Sequence, residues 1–338
     1  MKHIYKLFLL FAFLPACRKS NKNDAKDSAP CLQTTFLATN ISEGLQSVFF
    51  LNGKDGFVTG SDGGIYKTTD SAKSWILLHS TVQVPVRDIF FVDSSTGFAV
   101  GGSNSCGGSG CTPYGGFILR TVNGGQTWEN IFIPSKKIEI SSLYFVSKTS
   151  GFCAGDNMIL KTTDGGATWN EYEISSLGTK MMKISFTDPQ NGFVICAFDK
   201  IIRTKNGGST WEITSRNKTT GYYYLSASNG SIYISGQGKV IKSVNGGNTW
   251  NELVNSPSDI YAIHFINRDR GFGFGRGNYS GGDWGTYYEA IYCTNDGGIS
   301  WNGSRDIKEI GPILAVSFPT DKIGYATSGN KICRVTVQ

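Results

Sequence analysis

Side chains able to do chemistry are few and dispersed in this 338-residue sequence. Outside the first 16 residues there are two histidines, His79 and His264, too few for a multi-histidine zinc site or a histidine-based nucleophile triad. Hydrolysis of a glycosidic bond needs only two carboxylates facing each other across it. Asp62, Asp156, Asp199, Asp283 and Glu289 fall near turns on one face where such a pair could form, although a turn-forming or solvated role suits each of them better. Sialidase-like chemistry would add an arginine triad and a Tyr/Glu nucleophile pair, and most of the ten arginines already have places in a repeat. Nothing in these spacings calls for a metal or a cofactor, and none is expected. Recognition chemistry is better represented. Tyr114, Arg276, Tyr279, Trp284, Tyr287 and Tyr288 cluster in two glycine-rich segments, and Tyr, Trp and Arg dominate binding hot spots. They are the candidate binding surface, with packing of these segments onto their own rim as an equal alternative.

The elements that must hold those segments repeat. Six copies of one pattern end in Trp: Asp70 to Trp75, Asn123 to Trp128, Asp164 to Trp169, Asn206 to Trp211, Asn245 to Trp250 and Asp296 to Trp301. Earlier in each unit an apolar residue stands two before an aromatic, as in Val48/Phe50, and the aromatic is followed six residues later by Gly and Phe or Tyr, as in Gly56-Phe57. Leu225 to Gly230 is a shortened version, and the units number seven. Within a unit, alternating apolar residues bounded by Gly, Asn and Asp turns read as four short antiparallel strands, which makes each unit a propeller blade.

In each box the leading Asp or Asn and its glycines form a turn that Trp covers, a structural role. Asp70-Ser71-Ala72 lacks the glycines and is expected to close with other torsions. One carboxylate or amide per box is too little for calcium. A basic residue three before most boxes (Lys67, Arg120, Lys161, Arg203, Lys242, Arg334) is expected to pack its stem and send its charge to solvent. The seventh unit lacks a Trp-bearing fourth strand while Leu32 to Ala38 is a spare strand at the other end. The expected fold is therefore all-β, a single seven-bladed β-propeller of four-stranded antiparallel blades over residues 31–338, closed by the N-terminal strand. Two units are longer, Gly97 to Trp128 and Gly271 to Trp301, and both insertions lie between second and third strands, on the face opposite the boxes.

The recurring Lys/Arg-Thr-x-Asp/Asn-Gly-Gly-x-Thr-Trp pattern with its Gly-Phe element resembles the BNR/Asp-box propellers, and among them the photosystem II stability and assembly factor family. The resemblance spans about residues 32–338 and implies a non-catalytic assembly or interaction propeller. Similar boxes occur in glycan-active enzymes, so a glycan-binding or glycoside-hydrolase (sialidase-like) propeller is the alternative, and a shared architecture does not transfer an activity.

At the N-terminus, Lys2 and Lys6 precede the apolar run Leu7 to Leu14, and Leu14-Pro15-Ala16-Cys17 resembles the lipobox of bacterial lipoproteins. Residues 1–16 then form a signal peptide, Cys17 is the lipid-attachment residue, and the polar stretch 17–30 is a flexible tether. The expected location is the cell envelope, membrane-anchored and facing the periplasm or exterior. The net charge of +6 is scattered, which argues against nucleic acid. A monomer with a protein or glycan partner is expected. In an oxidising compartment Cys106 and Cys111 are the best disulfide pair, Cys31 and Cys333 could brace the closure, and Cys153, Cys196 and Cys293 read as small buried hydrophobes.

Overall fold

The computed structural model describes residues 32–78, 82–103, 115–174, 180–197, 200–216, 221–228, 230–257, 260–280, 286–307 and 313–338, with backbone alone for 215–216, 276–280, 286–289 and 304–307. Among them are seven four-stranded antiparallel sheets. Blade 1 contains Leu45–Phe50, Gly56–Gly60, Ile65–Thr68 and Ile76–Leu78, from the innermost strand outward. The innermost strands of blades 2 to 7 are Val86–Phe91, Ile140–Phe145, Met181–Phe186, Tyr222–Ser228, Ile260–Phe265 and Ile313–Thr320. The ring closes as expected. Leu32–Leu37 pairs with Lys331–Val337 as the outer strand of blade 7, with Leu32 opposite Val337 and Leu37 opposite Ile332, so no sheet edge is left at the seam.

The hydrophobic core lies between blades, and the repeated Gly-Phe element builds it. Phe57 of blade 1 stacks on Phe91 of blade 2 with centroids 4.1 Å apart. Phe98/Phe145, Phe152/Phe186, Tyr233/Phe265, Phe272/Phe318 and Tyr325/Phe50 repeat the contact at five further interfaces. The glycine before each Phe is a space requirement. A Cβ on Gly56 would come within 2.5 Å of the Phe50 ring, and Gly97 stands in the same relation to Phe91. The box tryptophan meets that ring edge-on from the outer side, as Trp128 does Phe91 at 5.9 Å.

Blade 5 departs from this rule in a compensated way. Ala227 stands where the other blades carry the inner-strand ring, and its register partner is Ile232, in the place of the glycine. Ile232 is fully buried, so a large-over-small pair has been exchanged for its inverse. The interface between blades 4 and 5 consequently has Phe193 meeting Trp250 edge-on at 6.2 Å instead of a stacked pair.

The Asp boxes form turns of one design. In the third, Thr162 donates to Asp164, the Asp164 carboxylate accepts from the Thr168 N–H and hydroxyl, and the Gly166 N–H donates back to Thr162. The first box is a correction to expectation: Ser71 and Ala72 adopt φ of 65° and 66°, the left-handed torsions that Gly124 and Gly125 adopt in the second. The hydrogen-bond set of Thr68, Asp70 and Ser74 is retained there and holds non-glycine residues in a region that ordinarily disfavours them.

The basic residues before the boxes also differ from expectation. Four of the six do not send their charge to solvent but reach into the next blade's box, where Lys67 donates to the Gly124 carbonyl, Lys161 to Gly207, Arg203 to Gly246 and Lys242 to Gly297. The three lysine ammonium groups also stand over an aromatic face, as that of Lys161 does over Phe152 at 5.6 Å. The box turn presents a carbonyl that no strand partner claims, and a long cation satisfies it.

Candidate functional site

The insertion face is set by strand direction. In each blade the start of the inner strand pairs with the end of the second, Leu45 with Gly60 in blade 1, so inner-strand starts and second-to-third turns share one face. The turn of blade 2 runs from Ser103 to Gly115, and Tyr114, Cys106 and Cys111 within it lie outside the described residues. In blade 6 the insertion is largely an extension of the sheet: strands Gly271–Ser280 and Thr286–Thr294 continue with Arg276 opposite Glu289 and Tyr279 opposite Tyr287. Trp284, like Cys17 and Cys31, lies outside the described residues, and no side-chain geometry is described for Arg276, Tyr279, Tyr287 or Tyr288.

Every inner strand carries a bulge at its second residue, where the pairing skips one position. The skipped residues are Gln46, Arg87, Ser141, Met182, Tyr223, Tyr261 and Leu314, which form a ring around the channel mouth on the insertion face. One half of the ring is polar and stands beside a charged cluster. Arg87 donates to Gln46 at 2.9 Å and lies 2.9 Å from Glu139, which also pairs with Lys180 at 3.4 Å. The other half is apolar, with Tyr223 and Tyr261 in contact at 5.2 Å and Leu314 45% exposed. The sequence reading missed this ring because its members share a position and not a residue type; the recurring offset from the Gly-Phe element was the available signal.

Below the mouth the channel holds a cavity of about 300 Å³ lined by inner strands. Its one ion pair joins Asp88 of blade 2 to Lys183 of blade 4 at 2.8 Å. Asp88 also accepts from Ser47 of blade 1 at 3.0 Å, Ser142 of blade 3 at 2.9 Å and the N–H groups of Ile89 and Leu143. Burial disfavours the Lys183 ammonium, but Asp88, with Tyr224 beside it, outweighs that and raises its pKa. The Lys183 ammonium stands 5.7 Å from the Tyr224 ring centre. Four blades thus meet around one satisfied carboxylate, with Tyr224 of a fifth beside the lysine, a bond pattern that pins the ring and leaves this acid no free lone pair for catalysis.

Of the turn carboxylates weighed from sequence, Asp62 accepts from its neighbour Ser61, and Asp156 accepts from the Glu139 N–H. Asp199 and Asp283 lie outside the described residues, and Glu289 is described by backbone alone. No metal-ligating cluster occurs among the described residues.

The cysteines need two corrections. Cys333 is buried and free, and burial pushes its thiol up to about 12. Closure register explains why it does not brace the seam with Cys31: Cys333 faces Phe36, while the strand begins at Leu32 opposite Val337, four residues along at about 3.3 Å each. Cys293 is disulfide-bonded and not a plain buried hydrophobe. Cys153 and Cys196 are buried, as read.

Comparison with known proteins agrees with this architecture. The family model described as photosynthesis system II assembly factor YCF48 matches residues 121–213 and 176–253. No curated protein matches the chain. Among solved structures, YCF48 from Cyanidioschyzon merolae superposes with a TM-score of 0.70 at 13% identity, covering 89% of this chain and 98% of that one. A streptogramin B lyase gives 0.71 at 11%, covering 91% and 98%. The GH74 xyloglucanase from Xanthomonas campestris gives 0.69 at 13%, covering 89% of this chain and 53% of its own. At such identities the likeness is one of fold. The protein is an Asp-box-repeat β-propeller, similar over its central blades to the photosystem II assembly factor YCF48.

Proposed function

We propose that the protein is a non-catalytic binding or assembly scaffold of the cell envelope, held to a membrane by acylated Cys17 and presenting its insertion face to a protein partner. The observation that carries the non-catalytic reading is Asp88: the channel's buried carboxylate is spent on Ser47, Ser142 and Lys183. The half-charged, half-apolar mouth beside the two insertions supports recognition of a protein, since interfaces combine aromatic anchors with a polar rim. The polar stretch 17–30 suits a tether that lets the propeller reach a partner at some distance from the bilayer.

Two measurements test this. Cys17→Ser is expected to leave the membrane fraction, because acyl chains supply attachment at about 0.8 kcal/mol per buried CH₂; retention after washing would refute the anchor. Capture of membrane partners by the intact lipoprotein is expected to disappear when residues 276–289 are removed. Equal capture by both forms, or hydrolysis of a glycan by the purified protein, would refute the scaffold.

A further inference from the structure

We infer that the channel cavity is a second, independent site, for a neutral hydroxylated ring of monosaccharide size. The inference follows from how the two sides of the cavity differ. On blades 1 to 3 the fifth residue of each inner strand is aromatic, and Phe49, Phe90 and Tyr144 form a continuous wall with centroids 5.2 and 5.7 Å apart. At the same level on blades 4 to 7 the residues are Ser185, Ser226, His264 and Ser317. An apolar wall faced by a small set of convergent polar groups is the usual construction of a small-molecule site.

The polar side has bonding capacity to spare. Ser226 accepts the Phe265 N–H at 3.1 Å and Ser317 accepts the Phe50 N–H at 3.0 Å, which leaves each hydroxyl proton to donate inward. The His264 imidazole is held flat against Phe318, with centroids 4.5 Å apart and planes 5° from parallel, and no described group bonds its nitrogens. An oriented ring with a free donor and a free acceptor is positioned for a ligand.

Charge restricts the class. Lys183 is the lining's one cation and Asp88 its one anion, and they neutralise each other at 2.8 Å. Burial holds His264 down to about 4, so the imidazole is neutral at physiological pH. A charged ligand would enter without a counter-ion, whereas a sugar ring lays its C–H face on the aromatic wall and turns its hydroxyls to the serines and the imidazole. The cavity, at about 300 Å³, is at the small end for ligand pockets and limits the occupant to about one ring.

Saturation-transfer NMR on the full-length lipoprotein in detergent, with D-glucose, D-galactose and N-acetylglucosamine as probes at millimolar concentration, tests this. At least one sugar is expected to bind. Phe90→Leu thins the wall, and His264→Phe keeps the stacking but removes both nitrogens. Each is expected to weaken binding by roughly tenfold. Ser185→Ala, which removes a hydroxyl that bonds no described group, is expected to weaken binding without moving the melting temperature, and it carries the test if either larger change impairs folding. Absence of binding by all three sugars, or binding that survives all three substitutions, would overturn the inference. Loss of binding on removal of 276–289 with the channel intact would also overturn it, by placing the sugar on the insertion face, while the scaffold reading would stand or fall separately on partner capture.

Discussion

The two ends of the blades are built on opposite principles. At the Asp-box end most blades repeat one solution. Box hydroxyl, carboxylate and glycine N–H bond each other, the next blade's carbonyl is taken by a lysine or arginine, and Trp closes over an inner-strand ring. At the insertion end the bulge position is occupied by Gln46, Arg87, Ser141, Met182, Tyr223, Tyr261 and Leu314, six residue types at seven places. Stability is thus assigned to the repeated end and individuality to the other, which frees one face to vary without risking closure.

The sharpest way to break that comparison is at a box tryptophan. Trp169 is buried, edge-on to Phe145 at 6.0 Å and to Phe98 at 6.4 Å, and so braces two blades at once. Trp169→Ala is expected to cost about 3 to 5 kcal/mol through lost burial and a residual cavity, measured as a shift of the denaturation midpoint. A loss under about 1 kcal/mol would mean that the blades hold together without their boxes.

Blade 5 offers a sharper test of how the repeat works. Ala227→Phe restores the ring found in the other blades but drives it into Ile232, and overpacking is expected to destabilise by about 1 to 3 kcal/mol. Adding Ile232→Gly recreates the space that Gly56 leaves for Phe50, and the double variant is expected to recover most of the loss. If the two changes were simply additive, the ring and the glycine would not be one unit.

Acid separates boxes of one fold by their first residue. Hydrogen bonds from the Ser74, Thr168 and Ser300 hydroxyls, together with the N–H groups of the same residues, hold Asp70, Asp164 and Asp296 at about 2. The corresponding Asn123, Asn206 and Asn245 do not titrate. A carboxylate whose pKa is lower in the folded chain than in the unfolded one, about 3.9, stabilises the fold above that value. The contribution fades as pH falls from about 4 through about 2. Replacing the three aspartates by asparagine is expected to preserve stability at neutral pH and flatten its decline over that window in urea titrations; an unchanged slope would show that these carboxylates do not set it.

The fold was legible because its signals are periodic. Gly56-Phe57 and its copies encode one steric relation, and the missing fourth strand of the last unit pointed to Leu32–Leu37. What escaped was set by contacts between units. The destination of Lys67 in the next blade's box depends on how far blades stand apart, and the left-handed torsions of Ser71 and Ala72 on a hydrogen-bond set strong enough to override residue preference. The Asp88–Lys183 pair joins residues 95 positions apart in blades that are not neighbours, so no local pattern announces it. Cys333 read as a closure brace only while the register was unknown.

The smallest expected effect on stability is also the one that tests the division of labour most directly. Arg276, Tyr279, Tyr287 and Tyr288 are carried on strands that extend beyond the length of the other blades' hairpins. Trp284, between those strands, is the single tryptophan outside a box. If this hairpin serves recognition, Trp284→Ala and Arg276→Ala are expected to move unfolding free energy by less than about 0.5 kcal/mol. The same changes are expected to weaken partner capture by about 1 to 3 kcal/mol, the range of an interface anchor. Denaturation and pull-down on the same preparations separate the readings. A loss of several kcal/mol in Trp284→Ala with capture unchanged would show that the hairpin folds onto its own rim, and the insertion end would then be structural like the box end.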